Sequence, residues 1–342
     1  MKLYGSLNEL NTAAAELVQG AVRVQVTQIV TKTTKTGKPY LEATFADVEG
    51  SLTFKVWDNA PWHPAIAPLQ PNDAVELSGN WLVGQYGMEA SDLDVRSLSP
   101  EEEEQMLAGS PELVARQQRD WDCIQELAAT VADPRLQALC TALLSTFGTR
   151  FRRSGAARKM HHARRGGLVE HTAGVMRAAD ALCGVYPQLN RDLVLTGALF
   201  HDCGKMWENA YEEHSFVMPY SLMGELMGHI TTGIELINKL WSGLMAEHRE
   251  EWRSLTPASD HVRLHLLHLI ASHHGTLEYG SPVVPKTPEA LALHHADDLD
   301  AKMEMFRYGY ETAPAVSEHV QQPKFPLGNI VKPLPAGGKA EG

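Results

Sequence analysis

Leu193-Val194-Leu195-Thr196-Gly197-Ala198-Leu199-Phe200-His201-Asp202-Cys203-Gly204-Lys205 is the stretch that decides the fold. An almost wholly apolar run leads, without a turn signal, into an imidazole, a carboxylate and then an ammonium. Residues 191 to 203 read as one helix packed deep in a core. A His-Asp pair directly after such a run is buried as well. An isolated buried ion costs several kcal/mol, so the pair must be hydrogen-bonded, ion-paired or metal-bound. Gly204 is expected to release the chain there, with Lys205 close to the pair.

On either side, other helices end or begin in the same way. Gly166-Gly167-Leu168-Val169-Glu170-His171-Thr172 starts a helix whose Val175, Ala178, Ala179 and Leu182 face inward, with His171 in its first turn. Gly228-His229-Ile230 opens another, with Ile230, Ile234, Ile237 and Leu240 at helical spacing. His273-His274-Gly275 closes the helix Leu264 to Ser272, and Asp297 and Asp298 follow Leu291-Ala292-Leu293 in a fifth. Taken singly, each of these residues reads more readily as a satisfied histidine or a solvated carboxylate. Taken together they would need many separate hydrogen-bond partners if buried, and a divalent cation answers that need. Mixed nitrogen and oxygen ligation suits Fe, Mn, Zn or Ni better than Ca or Mg, and a carboxylate can bridge two such ions.

The chain of 342 residues is 44% hydrophobic and 21% charged, which describes a globular protein of one large or two ordinary domains. The start Met1-Lys2-Leu3-Tyr4-Gly5-Ser6 has no apolar signal core, and no apolar run approaches membrane-spanning length. Cys123, Cys140, Cys183 and Cys203 are too scattered for a disulfide or zinc-ribbon framework and read as buried thiols in a reducing cytoplasm. A net charge of −12 argues against indiscriminate coating of nucleic acid, while leaving room for a local basic groove.

Residues 20–98 have a different period. Val22, Val24 and Val26, then Leu52, Phe54 and Val56, then Val75 and Leu77, alternate with polar residues, which marks strands with one buried face. Lys35-Thr36-Gly37-Lys38 and Asp47-Val48-Glu49-Gly50 supply hairpin turns. About five short strands fit a small Greek-key barrel of the OB type, a fold that often binds single strands. Lysines from Lys32 to Lys38, notably Lys35 and Lys38, and the aromatics Tyr40, Phe45, Trp57, Trp81 and Tyr86 are the materials of such a surface. The plainer reading puts most of these aromatics in the core. Trp57 is the best candidate for a ligand contact, because its parity sets it opposite Phe54 and Val56.

Residues 1–19 are left as an N-terminal segment. Ser99-Pro100 followed by four glutamates is a capped, solvated helix start, and residues 99–149 read as a helical linker. Residues 150–308 form the helical unit, and 309–342, rich in proline and glycine, an extended or disordered tail. Just before His171 lies the densest basic stretch: Arg150, Arg152, Arg153, Arg158, Lys159, His161, His162, Arg164 and Arg165. Of these, Arg152, Arg153, Arg158, Lys159, His161 and His162 are the candidate phosphate contacts. The plainer alternative is a solvated basic face.

His171, then His201-Asp202, then Asp297 resembles the H…HD…D signature of the HD-domain metal-dependent phosphohydrolases. The resemblance implies that His171, His201, Asp202 and Asp297 hold one metal, and that Asp202 bridges to a second held by His229, His273 and His274. Asp297 rather than Asp298 follows the family's Ala-Asp step; for Asp298 the alternative is an ion pair with Lys302. Together with Ala156-Ala157, His161-His162-Ala163 and Ala296 to Lys302, the N-terminal β unit makes the chain similar to the OB-plus-HD 3′→5′ exoribonuclease family (YhaM-like). The expected fold class is therefore two domains, an N-terminal small all-β OB-like barrel and a C-terminal all-α HD-domain helical bundle. The implied activity is metal-dependent 3′→5′ hydrolysis of RNA, with single-stranded DNA as a further substrate. The implied cofactor is two divalent transition-metal ions, Mn²⁺ first, with Fe²⁺, Co²⁺, Ni²⁺ or Zn²⁺ as alternatives. Asp202 and Lys205 are the expected catalytic residues, Lys205 as a cation offsetting phosphoryl charge or, equally, as an ion-pair partner of Asp202 or Glu208. The partners are single-stranded RNA or DNA, with no membrane, and a homo-oligomer is compatible with the sequence. Two other functions stay open: hydrolysis of free or cyclic nucleotides, and single-strand binding without catalysis. The glycine-tyrosine-proline signature of the cyclic-dinucleotide enzymes is missing after His273-His274, where the chain reads Gly275-Thr276-Leu277-Glu278-Tyr279-Gly280.

Overall fold

The computed structural model describes residues 1–84, 87–158, 162–323 and 327–334. The N-terminal unit holds β1 (Lys2–Tyr4), α1 (Leu7–Ala13), β2 (Val18–Thr33), β3 (Pro39–Ala46), β4 (Ser51–Trp57), α2 (His63–Ile66), β5 (Ala74–Gly84) and β6 (Gly87–Ser97). The sheet order is β4-β3-β2-β5-β6, with β1 parallel to β2. Register shifts between Val26 and Gln28, so that β2 pairs with β5 over Val18–Gln25 and with β3 over Gln25–Thr33. A bulge there bends the strand and lets one sheet wrap its own core. That core holds Val22, Val24, Val26, Phe45, Phe54, Leu77 and Trp81.

The expected closed barrel is not found: the described strands form an open, strand-rich sheet in which β4 and β6 share no ladder. In place of such a ladder, α2 contacts both strands and packs Ile66 into the core. Residues 1–19 are not a separate segment either, because Tyr4, Leu7 and Leu10 belong to the same core.

The helical part begins with α3 (Pro100–Ala108), α4 (Pro111–Ala129) and α5 (Pro134–Arg153). Ser99 and Glu102 form a capping box at the start of α3, and Glu102 also holds Arg23 and Arg96 of the sheet. It continues through α6 (Gly167–Val185), α7 (Arg191–Phe200), α8 (Lys205–Glu208), α9 (Leu222–Glu247), α10 (Arg249–Arg253), α11 (Ser259–Ser272) and α12 (Pro288–Thr312). The residues read as a linker, 99–149, differ from that expectation. Trp121 and Ile124 of α4 and Leu136, Leu139 and Leu143 of α5 share one core with α6, α7, α9, α11 and α12.

The tail carries more order than composition suggests. The short strands β7 (Val320–Gln321) and β8 (Ile330–Val331) pair, and Ile330 is buried against Gly309. Pro326, Pro335 and Gly337-Gly338 lie outside the described residues, as does Tyr86. All four cysteines are free; Cys140, Cys183 and Cys203 are buried and Cys123 partly so. No described helix is long and apolar enough to cross a membrane.

The two parts meet at a small apolar cluster of Ala46, Val48, Met106, Leu107, Leu113 and Phe216. Beside it the buried Gln25 of β2 donates to the His214 carbonyl at 2.8 Å and accepts from the Phe216 N–H at 2.7 Å. The loop between α8 and α9 is thereby pinned to the sheet.

Candidate metal centre

Five elements converge at one point in the helical core. His201 and Asp202 follow the last turn of α7, with His201 fully buried and Asp202 2% exposed. His171 comes from α6, His229 from α9 just after a break at Gly228 (φ 65°, ψ 170°), His273 and His274 from the end of α11, and Asp297 from α12. Gly204, expected to release the chain, lies four residues past the end of α7 with φ −64° and leads directly into α8. A Cβ there would lie 2.0 Å from the His229 carbonyl oxygen, so glycine is what lets α8 and the His229 backbone touch.

The two oxygens of Asp202 face different histidines. Oδ2 lies 3.3 Å from His171 Nε2 and 3.4 Å from His201 Nε2. Oδ1 lies 3.5 Å from His229 Nε2 and 3.7 Å from His273 Nε2. Asp297 Oδ1 completes the first group at 3.2 Å from His171 Nε2 and 3.7 Å from His201 Nε2. Asp298 instead pairs with Lys302 at 2.7 Å. Donor atoms about 2.1 Å from a common metal stand roughly 3 to 3.5 Å apart, so this spacing suits ligation.

The other ring nitrogen of each histidine is tied down. His201 Nδ1 donates to the Ala198 carbonyl at 2.8 Å and His273 Nδ1 to the Ile270 carbonyl at 2.7 Å. Both acceptors are last-turn carbonyls that have no helical partner, which is why a helix end suits these residues. His274 Nδ1 donates to the Tyr279 carbonyl at 2.8 Å, His229 Nδ1 to Glu208 at 2.8 Å and His171 Nδ1 to Asp300 at 2.8 Å. At His229, His273 and His274, donation from Nδ1 leaves Nε2 free to offer its lone pair, the tautomer a metal requires, whereas His171 Nε2 meets Asp202 and Asp297, where a cation would take the place of a proton.

The electrostatics of the two halves differ. Burial alone would strip the proton from His171, but the carboxylates of Asp202, Asp297 and Asp300 outweigh it and raise its pKa well above the ordinary value. Burial and then the neighbouring His201 hold His273 well below it. Asp202 stays ionised despite burial, mainly through Lys205 and then His201. Asp202 Oδ1, His229 Nε2 and His273 Nε2 are buried with no hydrogen-bond partner. Three bare acceptors facing one another repel unless a cation stands among them, so the residues present fit a divalent metal.

Lys205 is buried, with Nζ 2.5 Å from Asp202 Oδ2. This is the ion pair considered as its alternative role. The basic stretch before His171 is largely bound to the protein itself. Arg158 donates to the carbonyls of Met218, Glu208 and Pro219 and lies over the Tyr220 ring at 4.0 Å. Arg165 holds the carbonyls of Glu212, Glu213 and Ser215, and Arg152 lies over Trp121 and donates to Gln118. His162 is buried, which does not fit a contact with a strand's phosphates. Arg153 keeps a buried Nε without a hydrogen-bond partner; burial first, and then the Arg153 charge, lower the pKa of both Arg150 and Arg165. Lys159 and His161 lie outside the described residues.

On the sheet, Phe45 and Trp81 are core residues, whereas Trp57 is 39% exposed. Its ring sits 5.4 Å from Tyr40, with Lys55 Nζ 5.4 Å from the Tyr40 ring on the same outward face. Lys35 and Lys38 lie at the exposed tip of the β2–β3 hairpin. Sequence reasoning did not assign Asp300 a role. Its signal was the spacing of three from Asp297, which sets both on one face of α12.

A family model for the HD domain matches residues 168–302. The 3'-5' exoribonuclease YhaM of Geobacillus sp. (strain WCH70) is 31% identical over 272 residues, covering 79% of this chain and 78% of the relative. That of Oceanobacillus iheyensis is 30% identical over 277 residues, covering 80% and 81%. That of Bacillus subtilis (strain 168) is 30% identical over 272 residues, covering 79% and 80%.

Proposed function

The chain belongs to the YhaM 3'-5' exoribonuclease family and is a hydrolytic nuclease, and from that premise we propose that it removes nucleotides from the 3′ end of single-stranded RNA at a centre of two divalent cations. The observation that carries this reading is the division of Asp202, one oxygen toward His171 and His201 and the other toward His229 and His273. Divalent ions held there would supply the Lewis acidity and the activated water that phosphodiester hydrolysis needs. His171, His201, Asp202 and Asp297 would hold one; Asp202, His229, His273 and His274 the other. Mn²⁺ suits this nitrogen-rich set with shared carboxylates, as do Fe²⁺, Co²⁺, Ni²⁺ and Zn²⁺.

The remaining groups orient and neutralise. Lys205 fixes the Asp202 carboxylate and brings a positive charge beside the place where phosphoryl oxygens would gather. Glu208 and Asp300 hold the rings of His229 and His171. Trp57, Tyr40 and Lys55 offer a stacking face with a cation beside it, with Lys35 and Lys38 at the adjoining turn, for the strand upstream of the reacting end. Arg153, whose Nε has no hydrogen-bond partner, is the guanidinium of the basic stretch offered as a phosphate contact. Single-stranded DNA would fit the same face.

The test is a time course on a 5′-labelled oligoribonucleotide with Mn²⁺, and the expected result is a ladder shortening from the 3′ end. Hydrolysis of mononucleotides or cyclic dinucleotides with the oligomer left intact would sink the proposal.

A further inference from the structure

Behind His171 stands a second histidine that the reaction scheme above does not use. His162 is 7% exposed, in an acidic surrounding inside the helical core. Its Nε2 lies 3.2 Å from Asp300 Oδ2, the same oxygen that His171 Nδ1 meets at 2.8 Å. A carboxylate only accepts, so both rings donate to that one atom. His162 also has φ +49°, a left-handed backbone that a residue other than glycine adopts at a cost and keeps only where its surroundings enforce it.

The enforcement is visible along α6. Gly167, His171 and Gly174 are spaced by four and three residues and so share one helix face. A Cβ on Gly167 would lie 1.9 Å from the His162 carbonyl oxygen, and a Cβ on Gly174 would lie 1.9 Å from Asp300 Oδ1. Two notches on the face that carries His171 thus admit the loop bearing His162 and the helix bearing Asp300. On its far side His162 Nδ1 faces Glu170 Oε2 at 3.8 Å and Glu304 Oε1 at 3.9 Å. Glu170 is itself clamped by Arg164 and Gln117.

We infer that His162 is a positioning residue for the metal centre: it holds the Asp300 carboxylate in the place from which Asp300 fixes the ring and tautomer of His171. This rests on the metal reading of the site. A carboxylate with one donor can turn about its side-chain torsion, whereas one with two donors on the same oxygen and glycine beneath the other has a single seat. The same contact explains why this histidine, though part of a basic stretch, is turned inward.

The experiment measures Mn²⁺ binding to the full chain by titration calorimetry, for the wild type and for H162N, H162Q, D300A and H162N/D300A. Asparagine tolerates the left-handed backbone but does not reach Asp300, while glutamine can put an N–H near the position of Nε2. Outer groups of this kind change metal affinity by about 10- to 100-fold. The expected result is about tenfold weaker binding for H162N, most of it regained in H162Q, and no further loss on adding H162N to D300A, since the contact acts only through Asp300. Equal losses in H162N and H162Q, additive loss in the double variant, or unchanged affinity in H162N would each overturn the inference. A wild type that binds no Mn²⁺, Fe²⁺ or Co²⁺ would instead remove the metal reading itself.

Discussion

The sheet wraps Val22, Val24, Phe45, Phe54 and Leu77 and turns its charges and its Tyr40–Trp57 pair outward, whereas the helical part sets His171, His201, Asp202 and His273 at its heart. One region stabilises itself by apolar burial and leaves its polar surface free for a ligand. The other surrounds polar groups with an apolar core, so its function and its folding draw on the same atoms. Substitutions should therefore separate binding from chemistry in the first region and couple chemistry to stability in the second.

The largest effect is expected at Asp202. D202N keeps the shape but removes the charge between the two histidine groups. Several kcal/mol of charge stabilisation are lost with it, about a thousandfold or more in rate. Affinity for a single strand should stay within twofold or so, because the sheet is untouched. Loss of both in parallel, read by nuclease assay and by fluorescence anisotropy, would break the comparison. G204A comes next: its Cβ would meet the His229 carbonyl, which should cost about 1 to 3 kcal/mol of stability. A lower Mn²⁺ content should accompany the lower melting temperature; a fall in melting temperature with full metal content would separate the two.

W57A tests the other region. Loss of one stacking face should weaken oligoribonucleotide binding by about 1 to 3 kcal/mol without moving the melting temperature or the rate on very short substrates. R153A is a smaller change, expected to reduce the slope of log affinity against log salt by about 1. An unchanged slope would remove Arg153 from the strand's path. R158A, by contrast, should lower stability, because that guanidinium holds three backbone carbonyls.

The smallest effect belongs to Glu102, whose pKa is lowered to about 2 by Arg96, by the Ser99 N–H and by Arg23. A depressed carboxyl contributes stability above its unfolded value near 4.5 and loses it as pH falls through about 2. E102Q should flatten the acid limb of melting temperature against pH across that window and change nothing at neutral pH. A difference at pH 7 as large as that at pH 3 would show that the capping contact, rather than the charge, is what matters.

Much of this was legible in the residues. Parity alone set Trp57 outward and Phe54 inward, and the apolar run before His201 required that the pair after it be buried. The basic stretch was not legible in the same way. A guanidinium binds a phosphate oxygen and a backbone carbonyl by the same N–H groups, so composition cannot say which one Arg158 or Arg165 will meet. Closure of the sheet was not legible for a related reason: alternation specifies which face of each strand is buried, not whether the edge strands β4 and β6, which do contact each other, also share a ladder.

Local pattern determined the inventory of this protein: strands then helices, and histidines and aspartates placed where apolar faces end. Such pattern depends on neighbours three or four residues away and is written in the chain. Which oxygen of Asp202 faces which histidine, and that His162 turns inward to Asp300, were decided only by the packing of α6, α7, α9, α11 and α12. Those contacts join residues separated by up to 138 positions. Their geometry is set by how close two backbones can come, at Gly167, Gly174 and Gly204, and no local period encodes that distance.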